Sequence, residues 1–230
     1  MVHKSQLKYL ILLLFISFIS ACNKKSDSGL SQGKIVFDVT YMQDRIGSMS
    51  TSMMPRQMTM EYKDNYSKST IEGGLGFFNL VNISDLRNFK NTTYLKFLDK
   101  KYIYEGKKKD TPCCIGDLYG MQVQFTEKTR EIAGFTCKHA IANFPDDNID
   151  SFDIWYTEEI PLKHPNGNSP FGDIPGVLME FNNLLGEMAM HMKAKSFEAI
   201  AIEDEEFQSP ENYRPVTKVE MEKILDALLK

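Results

Sequence analysis

Hydrophobic and polar residues alternate with a period of two along much of the chain. The alternation is clearest over residues 34–41, 57–62, 121–125, 152–157 and 188–192. Strict alternation is typical of antiparallel strands that have one face in the core and the other in solvent. Counting the weaker repeats, we predict roughly nine to eleven strands. Polar turns such as Lys63-Asp64-Asn65 separate them.

Helical patterns are scarce and concentrate at the C-terminus. Thr217-Lys218-Val219-Glu220 forms a capping box just after Pro215, which predicts a helix start. An apolar stripe at helical spacing follows, made of Met221, Ile224, Leu225, Leu228 and Leu229. A second, short helix is predicted within residues 83–89. The sequence therefore predicts an α+β domain with an antiparallel sheet and a C-terminal helix.

The stretch Gly-Asp-Ile-Pro-Gly-Val-Leu-Met-Glu-Phe, residues 172–181, combines turn and strand signals. Gly172 and Gly176 bracket an Ile-Pro pair, which predicts a turn because glycine tolerates unusual backbone angles and proline fixes its own. The apolar residues 177–181 then predict a return into the sheet. No helix start follows these glycines, so they do not complete an anion-binding loop.

The first 21 residues have the features of a lipoprotein signal peptide. Lys4 and Lys8 precede an apolar run, and small residues lead to Cys22. The run is shorter than the roughly 20 apolar residues that span a bilayer. We expect residues 1–21 to be removed and Cys22 to be diacylated. Residues 22–32 then form the lipidated cysteine and a flexible polar tether, and residues 33–230 a single mostly-β domain.

Charge limits the partners of the mature chain. The whole chain has 27 basic and 31 acidic residues. Removing Lys4 and Lys8 with the signal leaves a net charge of −6. A negative balance of this size disfavours nucleic acid and anionic lipid surfaces as partners. We therefore expect membrane contact through the lipid anchor and no nucleic-acid binding.

Three cysteines remain after Cys22: Cys113, Cys114 and Cys137. In an oxidising compartment, one bridge is expected between Cys137 and either Cys113 or Cys114. The odd number leaves one thiol unpaired in the monomer. Buried free thiols are the alternative. No C-x-x-C redox motif is present.

Three stretches carry a family resemblance. They are IAGFTCKHA at 132–140, IWYTEEIP at 154–161 and IPGVLMEF at 174–181. In this order they resemble strands of uncharacterised Bacteroidetes-type envelope lipoproteins that include the GLPGLI family, although Ile174 replaces the first leucine of that motif. The resemblance implies a fold similar to the lipoprotein localisation factor, a strongly curved open half-barrel whose concave side holds a helix and accepts lipid. The resemblance implies that the protein is located in the cell envelope, and it implies no particular reaction.

Methionines and aromatic residues on the predicted strands suggest an apolar ligand groove. We expect the concave face to carry Met58, Met60, Phe125, Tyr156 and Met190. Such a groove suits a lipid or another hydrophobic ligand. The alternative is a structural or protein-interaction accessory lipoprotein without a small ligand. A partner protein in the envelope is compatible with either hypothesis.

Copper binding is a minor alternative. Met188, Met190 and Met192 share one strand face, and thioethers are soft ligands that suit Cu(I). His191 has the opposite parity and points away from them. We expect no cofactor and no enzymatic activity, since the chain lacks G-x-S-x-G, H-E-x-x-H and P-loop motifs.

The residues after Cys22 bear on localisation. Asn23 differs from the retention aspartate known after the lipidated cysteine in enteric bacteria, which favours the outer membrane of a Gram-negative cell. Residues 23–27 lack an acidic run of the kind associated with surface export. We therefore expect a periplasm-facing domain.

Overall fold

The structure is a computed structural model that describes residues 29–46, 49–73, 76–114, 118, 120–145, 150–186 and 188–229. The predicted signal peptide and Cys22 lie outside the described residues. The strands are β1 (Gln32–Tyr41), β2 (Arg45–Ile46), β3 (Met49–Ser50), β4 (Gln57–Lys63), β5 (Tyr66–Glu72), β6 (Phe78–Asp85), β7 (Lys90–Phe97), β8 (Lys100–Glu105), β9 (Gln122–Ile132), β10 (Phe135–Asn143), β11 (Phe152–Thr157), β12 (Val177–Leu185), β13 (Met188–Glu198) and β14 (Arg214–Pro215). An α-helix, α1 (Lys218–Leu229), ends the described chain.

Twelve strands form one open sheet in the order β14-β8-β7-β6-β5-β4-β1-β13-β12-β11-β10-β9. All neighbours are antiparallel except β14, which runs parallel to β8. β1 lies between two meanders, β4 to β8 on one side and β13 back to β9 on the other. β2 and β3 form a separate hairpin. The prediction of an antiparallel sheet with a C-terminal helix is confirmed, and the sheet does not close into a barrel. The predicted nine to eleven strands are too few for the described chain, because β2, β3 and β14 have only two residues each and show no alternation.

The central strand β1 sets the register of the core. Phe37 is paired with Met58 of β4 and with Ala194 of β13, and Val39 is paired with Met192. All five side chains are buried because they point to one side of the sheet, here called the core face. A slip of one residue would turn them to the other side, so the alternation fixes the pairing.

The predicted start of the C-terminal helix is confirmed. The backbone N–H of Glu220 donates to Thr217 Oγ1 at 3.2 Å, and the N–H of Met221 donates to the Thr217 carbonyl at 2.9 Å. The carboxylate of Glu220 does not complete the capping box with Thr217 but pairs with Arg214 at 2.9 Å. Met221 and Leu225 are fully buried and attach α1 to the core.

The prediction of a short helix within residues 83–89 is wrong. β6 continues to Asp85, whose carboxylate accepts the N–H groups of the residues two and three positions later. This local hydrogen bonding stabilises a turn in place of a helix. Phe89 has φ of 53°, in the left-handed region that a right-handed helix cannot continue through.

The connection from β13 to α1 crosses the face opposite the core face. Tyr213 packs edge-on against Tyr94 of β7, with ring centroids 5.5 Å apart. Lys68 of β5 pairs with Glu206 of this connection. The sheet is thus covered on both sides over β5 to β8. The apolar residues buried on that second side are Val81, Ile83 and Ile103.

No helix in the described part of the chain has the length and apolar character needed to cross a membrane.

Candidate ligand cavity

A cavity of about 150 Å³ lies on the core face of the sheet. Strands β1, β4, β5 and β6 line it from one half of the sheet, and β12 and β13 line it from the other. The connection between β11 and β12, residues 158–176, also contributes to its wall. Segments far apart in the sequence therefore meet around one space.

One wall of the cavity is made of flexible and aromatic apolar side chains. Phe181 of β12 packs edge-on against Phe37 and Phe171, with centroid separations of 6.1 and 5.5 Å. Methionine has a flexible, polarisable side chain that adapts to ligands of different shape. The residues of this wall include Phe37, Met58, Met60, Phe181, Met190 and Met192.

A second wall is polar and uncharged. Ser67 and Ser69 of β5 stand opposite Ser84 and Asn82 of β6, so four polar side chains form a two-by-two patch. Strand β7 positions Asn82 and Ser84 of β6. Thr93 of β7 donates to Asn82 Oδ1, and Ser84 donates to Asn91 Oδ1 of β7 at 2.7 Å. We call Ser67, Ser69, Asn82 and Ser84 the polar patch.

Asn166 fixes the loop that borders the cavity. Its side-chain Nδ2 donates to the carbonyl oxygens of Ile174 at 3.0 Å and Gly176 at 2.9 Å. The Asn166 side chain is buried, so these two bonds satisfy carbonyls that water does not reach freely. This holds the turn before β12 against the loop, and β12 starts at Val177 as the sequence predicts.

Three of the five predicted groove residues line the cavity, namely Met58, Met60 and Met190. Phe125 and Tyr156 lie elsewhere, packed edge-on against each other with centroids 6.1 Å apart. Phe125 is on the edge strand β9 and is half exposed. Alternation assigns a residue to a face but leaves its position across the sheet open, so these two could not be separated from the others by sequence.

The methionines of β13 share the core face, as predicted. Met188, Met190 and Met192 are buried, whereas His191 points to the opposite face. There His191 Nδ1 lies 2.8 Å from Asn182 Oδ1, and Nε2 lies 3.4 Å from the Glu180 carboxylate. Within the described residues, no three His, Cys, Asp or Glu side chains form a group that could hold a metal ion.

The structure does not form the predicted bridge between Cys137 and Cys113 or Cys114; all three are buried free thiols. The backbone N–H of Cys113 donates to Thr93 Oγ1 of β7 at 3.3 Å, and Cys113 Sγ donates to the Lys218 carbonyl of α1 at 3.8 Å. Cys137 belongs to β10, on the other side of β1 in the sheet order. Cys113 Sγ lies 2.7 Å from Cys114 Sγ. Burial raises the pKa of Cys137 to about 11, which makes this thiol a poor nucleophile at neutral pH.

A charged network joins four strands away from the cavity. The Arg130 guanidinium of β9 lies 4.0 Å from the ring centroid of Trp155 on β11 and pairs with Glu180 of β12. Lys193 of β13 lies 3.2 Å from the same carboxylate. Burial opposes ionisation of Glu180, but the hydrogen bonds from Arg130 and Lys193 outweigh it and lower the pKa of Glu180 below its ordinary value. This network could not be predicted from the sequence, because Arg130 and Glu180 are 50 residues apart in the chain.

His139 extends the network on the side of Trp155. Its ring centroid lies 4.5 Å from that of Trp155, and its two ring nitrogens lie 2.8 Å from Thr126 Oγ1 and from Asp153 Oδ1. The imidazole is therefore occupied by these two neighbours on β9 and β11. This arrangement gives His139 a role in holding strands together.

We expect Glu180→Gln to lower the free energy of unfolding by about 1–2 kcal/mol at pH 7, because the amide loses charge-assisted bonds to Arg130 and Lys193. The stabilisation from Glu180 is complete above its unfolded-state pKa of about 4.3 and is lost as pH falls through the lower folded-state pKa. Urea unfolding from pH 7 to pH 3 should show the wild type and the variant converging in acid.

The control for this variant is Glu158→Gln, which removes the exposed pair between Glu158 and Lys138. It should change the free energy of unfolding by less than about 0.5 kcal/mol. A constant difference between wild type and Glu180→Gln over the whole pH range would contradict the assignment to ionised Glu180.

No family model and no curated protein matches the chain. Two solved structures, of PNGF-II in space group P21 and of PNGF-II in space group C2, have a similar fold. The first aligns with a TM-score of 0.56 at 14% identity and covers 85% of this chain and 33% of that one. The second aligns with a TM-score of 0.55 at 14% identity and covers 85% and 32%. This chain thus spans about a third of the length of the structures that it matches. At this identity the likeness concerns the fold alone.

Proposed function

We propose that the chain is a non-enzymatic lipoprotein of the bacterial envelope that binds a lipid or another hydrophobic ligand on the core face of its sheet. The observation that carries the proposal is the cavity of about 150 Å³, with its wall of methionine and phenylalanine side chains. Adaptable apolar side chains around a concave space are typical of small-molecule sites.

The lining of the cavity supports a curved, half-barrel shape for the sheet. β6 and β12 both line it, although they are five strand intervals apart in the sheet order. In a flat sheet, five intervals of about 4.8 Å would separate these strands by about 24 Å. Side chains of both strands around one cavity of this volume support a sheet that bends toward the core face.

The volume of the cavity favours a ligand of which only a small part is enclosed. An apolar cavity of about 150 Å³ in another protein accommodates one benzene molecule. A short segment of a ligand therefore fits, and the rest of a longer ligand would extend beyond the cavity. Rearrangement of Met58, Met60 and Met190 can enlarge the space.

The proposed location follows from the N-terminal sequence. A basic start, an apolar run and small residues before Cys22 support cleavage at that cysteine and its lipidation. We propose that the lipid anchors the domain to the outer membrane, facing the periplasm. An interacting envelope protein is compatible with this arrangement.

Native mass spectrometry of the full chain extracted from its bacterial membrane tests the proposal. We expect a mature protein beginning at a diacylated Cys22 and a non-covalent lipid adduct that dissociates on collisional activation. An unacylated chain beginning at Met1 would contradict the anchor. A lipidated chain that carries no adduct, even after addition of 1-octanoylglycerol and octanoate, would favour the structural accessory role.

A matched pair of variants tests whether the ligand binds inside the cavity. Ser69→Phe adds a ring on the core face, inside the cavity, whereas Thr70→Phe adds the same ring on the opposite face of β5. We expect the bound fraction to fall about tenfold in Ser69→Phe, because the added ring takes the space of the ligand. Thr70→Phe should bind as the wild type does. Equal binding by both variants would place the ligand elsewhere.

A further inference from the structure

We propose that the cavity takes an uncharged amphiphile, whose hydroxyl groups lie against the polar patch and whose apolar chain lies against the methionines of β4 and β13. The inference rests on the proposed function and specifies the class of ligand. It predicts a neutral head group rich in hydroxyls, such as a glycerol or a sugar. Free fatty acids and phospholipid head groups are excluded from the enclosed part of the site.

The polar patch has hydrogen-bonding capacity that the protein does not use. The hydroxyls of Ser67 and Ser69 have no hydrogen-bond partner among the described residues. Asn82 accepts from Thr93 through Oδ1, which leaves its Nδ2 group with two donors. The buried side-chain atoms that lack a partner do not include Ser67 Oγ, Ser69 Oγ or Asn82 Nδ2. These three atoms therefore reach accessible space.

Two other polar side chains around the cavity are engaged by the backbone of the loop. Asn166 donates to two backbone carbonyls, and Ser169 Oγ donates to the Asn166 carbonyl at 2.9 Å. Asn183 Oδ1 accepts the N–H of Leu184 at 2.9 Å, which leaves the two Nδ2 donors of this single residue on β12. The polar patch is therefore the larger group of polar side chains that can bind a ligand in the cavity.

Charge is absent from the described lining. Among the described residues that line the cavity, none is ionisable. A carboxylate or phosphate enclosed there would lose its water without gaining a cation. Such transfer is strongly unfavourable for an ion, whereas a hydroxyl recovers its hydrogen bonds from serine and asparagine side chains.

The spacing of the polar patch suits neighbouring hydroxyl groups. Ser69 and Asn82 face each other across β5 and β6, and Ser67 and Ser84 do the same one step along the strands. Paired side chains on adjacent strands are about 5 Å apart. Two or three vicinal hydroxyls of a small polyol can therefore contact several of them at once. The apolar wall across the cavity then receives the chain attached to that head group.

Competition between 1-octanoylglycerol and octanoate tests the inference on the full lipidated chain. The two compounds have the same acyl chain, and octanoate is ionised at pH 8. Native mass spectrometry at equal free concentrations should show at least about tenfold more bound octanoylglycerol. In the double variant Ser67→Ala and Ser69→Ala, we expect this preference to fall by about fivefold or more, because hydroxyls are removed with little change in volume.

Ser169→Ala is the control, since it removes a cavity hydroxyl that is engaged by the backbone. It should keep the preference of the wild type. Equal or stronger binding of octanoate, or an unchanged preference in the double variant, would overturn the inference and leave the proposed lipid-binding function standing. Failure of both compounds to bind would instead contradict the proposed function itself.

Discussion

Replacing Gly176 by alanine is expected to destabilise the fold by about 3 kcal/mol or more. A Cβ atom on Gly176 would lie 2.3 Å from the Thr157 carbonyl oxygen, 2.7 Å from its carbonyl carbon and 3.0 Å from the Tyr156 ring. The first two atoms belong to the backbone of β11, so a rotamer change cannot relieve the overlap. β12 would have to move away from β11, which disrupts a packed sheet.

Gly172→Ala is the matched control within the same stretch. The nearest atoms to its Cβ would be carbonyl oxygens at 3.5 and 3.7 Å, which are ordinary contacts. Its backbone does not require the left-handed region, so alanine should be neutral or stabilise by up to about 1 kcal/mol. Urea unfolding of both variants measures the difference. Comparable stability of the two would show that the close approach at Gly176 is not needed.

Asn166→Ala is expected to cost about 2–4 kcal/mol. The substitution leaves the carbonyls of Ile174 and Gly176 without the donor that satisfies them, and a buried acceptor without a partner costs about 1–3 kcal/mol. The loop at the cavity would also lose its attachment to the start of β12. Urea unfolding gives the free energy, and proteolysis within residues 158–176 should become faster.

Asn168→Ala separates hydrogen bonding from the general effect of shortening an asparagine in this loop. Asn168 Nδ2 is buried and has no partner among the described residues. Removing it deletes an unsatisfied group, so we expect a change of less than about 0.5 kcal/mol or a small stabilisation. A loss as large as that of Asn166→Ala would refute the assigned role of the two carbonyl bonds.

Local patterns were sufficient to predict which residues face the core. Alternation placed Phe37, Met58 and Met192 on one side of their strands, and the structure pairs Phe37 with Met58 and Val39 with Met192. The capping box at Thr217 likewise predicted the start of α1, because the signal and the structure both lie within four residues. The face of a strand residue and the start of a helix both depend on residues that are close in the sequence, so both can be predicted from it.

Long-range arrangement could not be predicted in the same way. Phe125 and Tyr156 have the alternation of groove residues but belong to strands near the far edge of the sheet, because periodicity carries no information on strand order. The polar patch could not be predicted either. Serines at 67 and 69 look like solvent-facing positions, and only their pairing with β6 shows that they share a face with Ile71 and Met58.

The central place of β1 has a consequence for the order of folding. β1 is the first strand of the described chain, yet Lys34 pairs with Glu198, more than 160 residues later. The meanders β4–β8 and β9–β13 can form from successive hairpins, whereas joining them requires closure of a very long loop. Until β13 is made, one edge of β1 and its apolar side chains lack a partner. We therefore expect the chain to be most prone to aggregation in that interval.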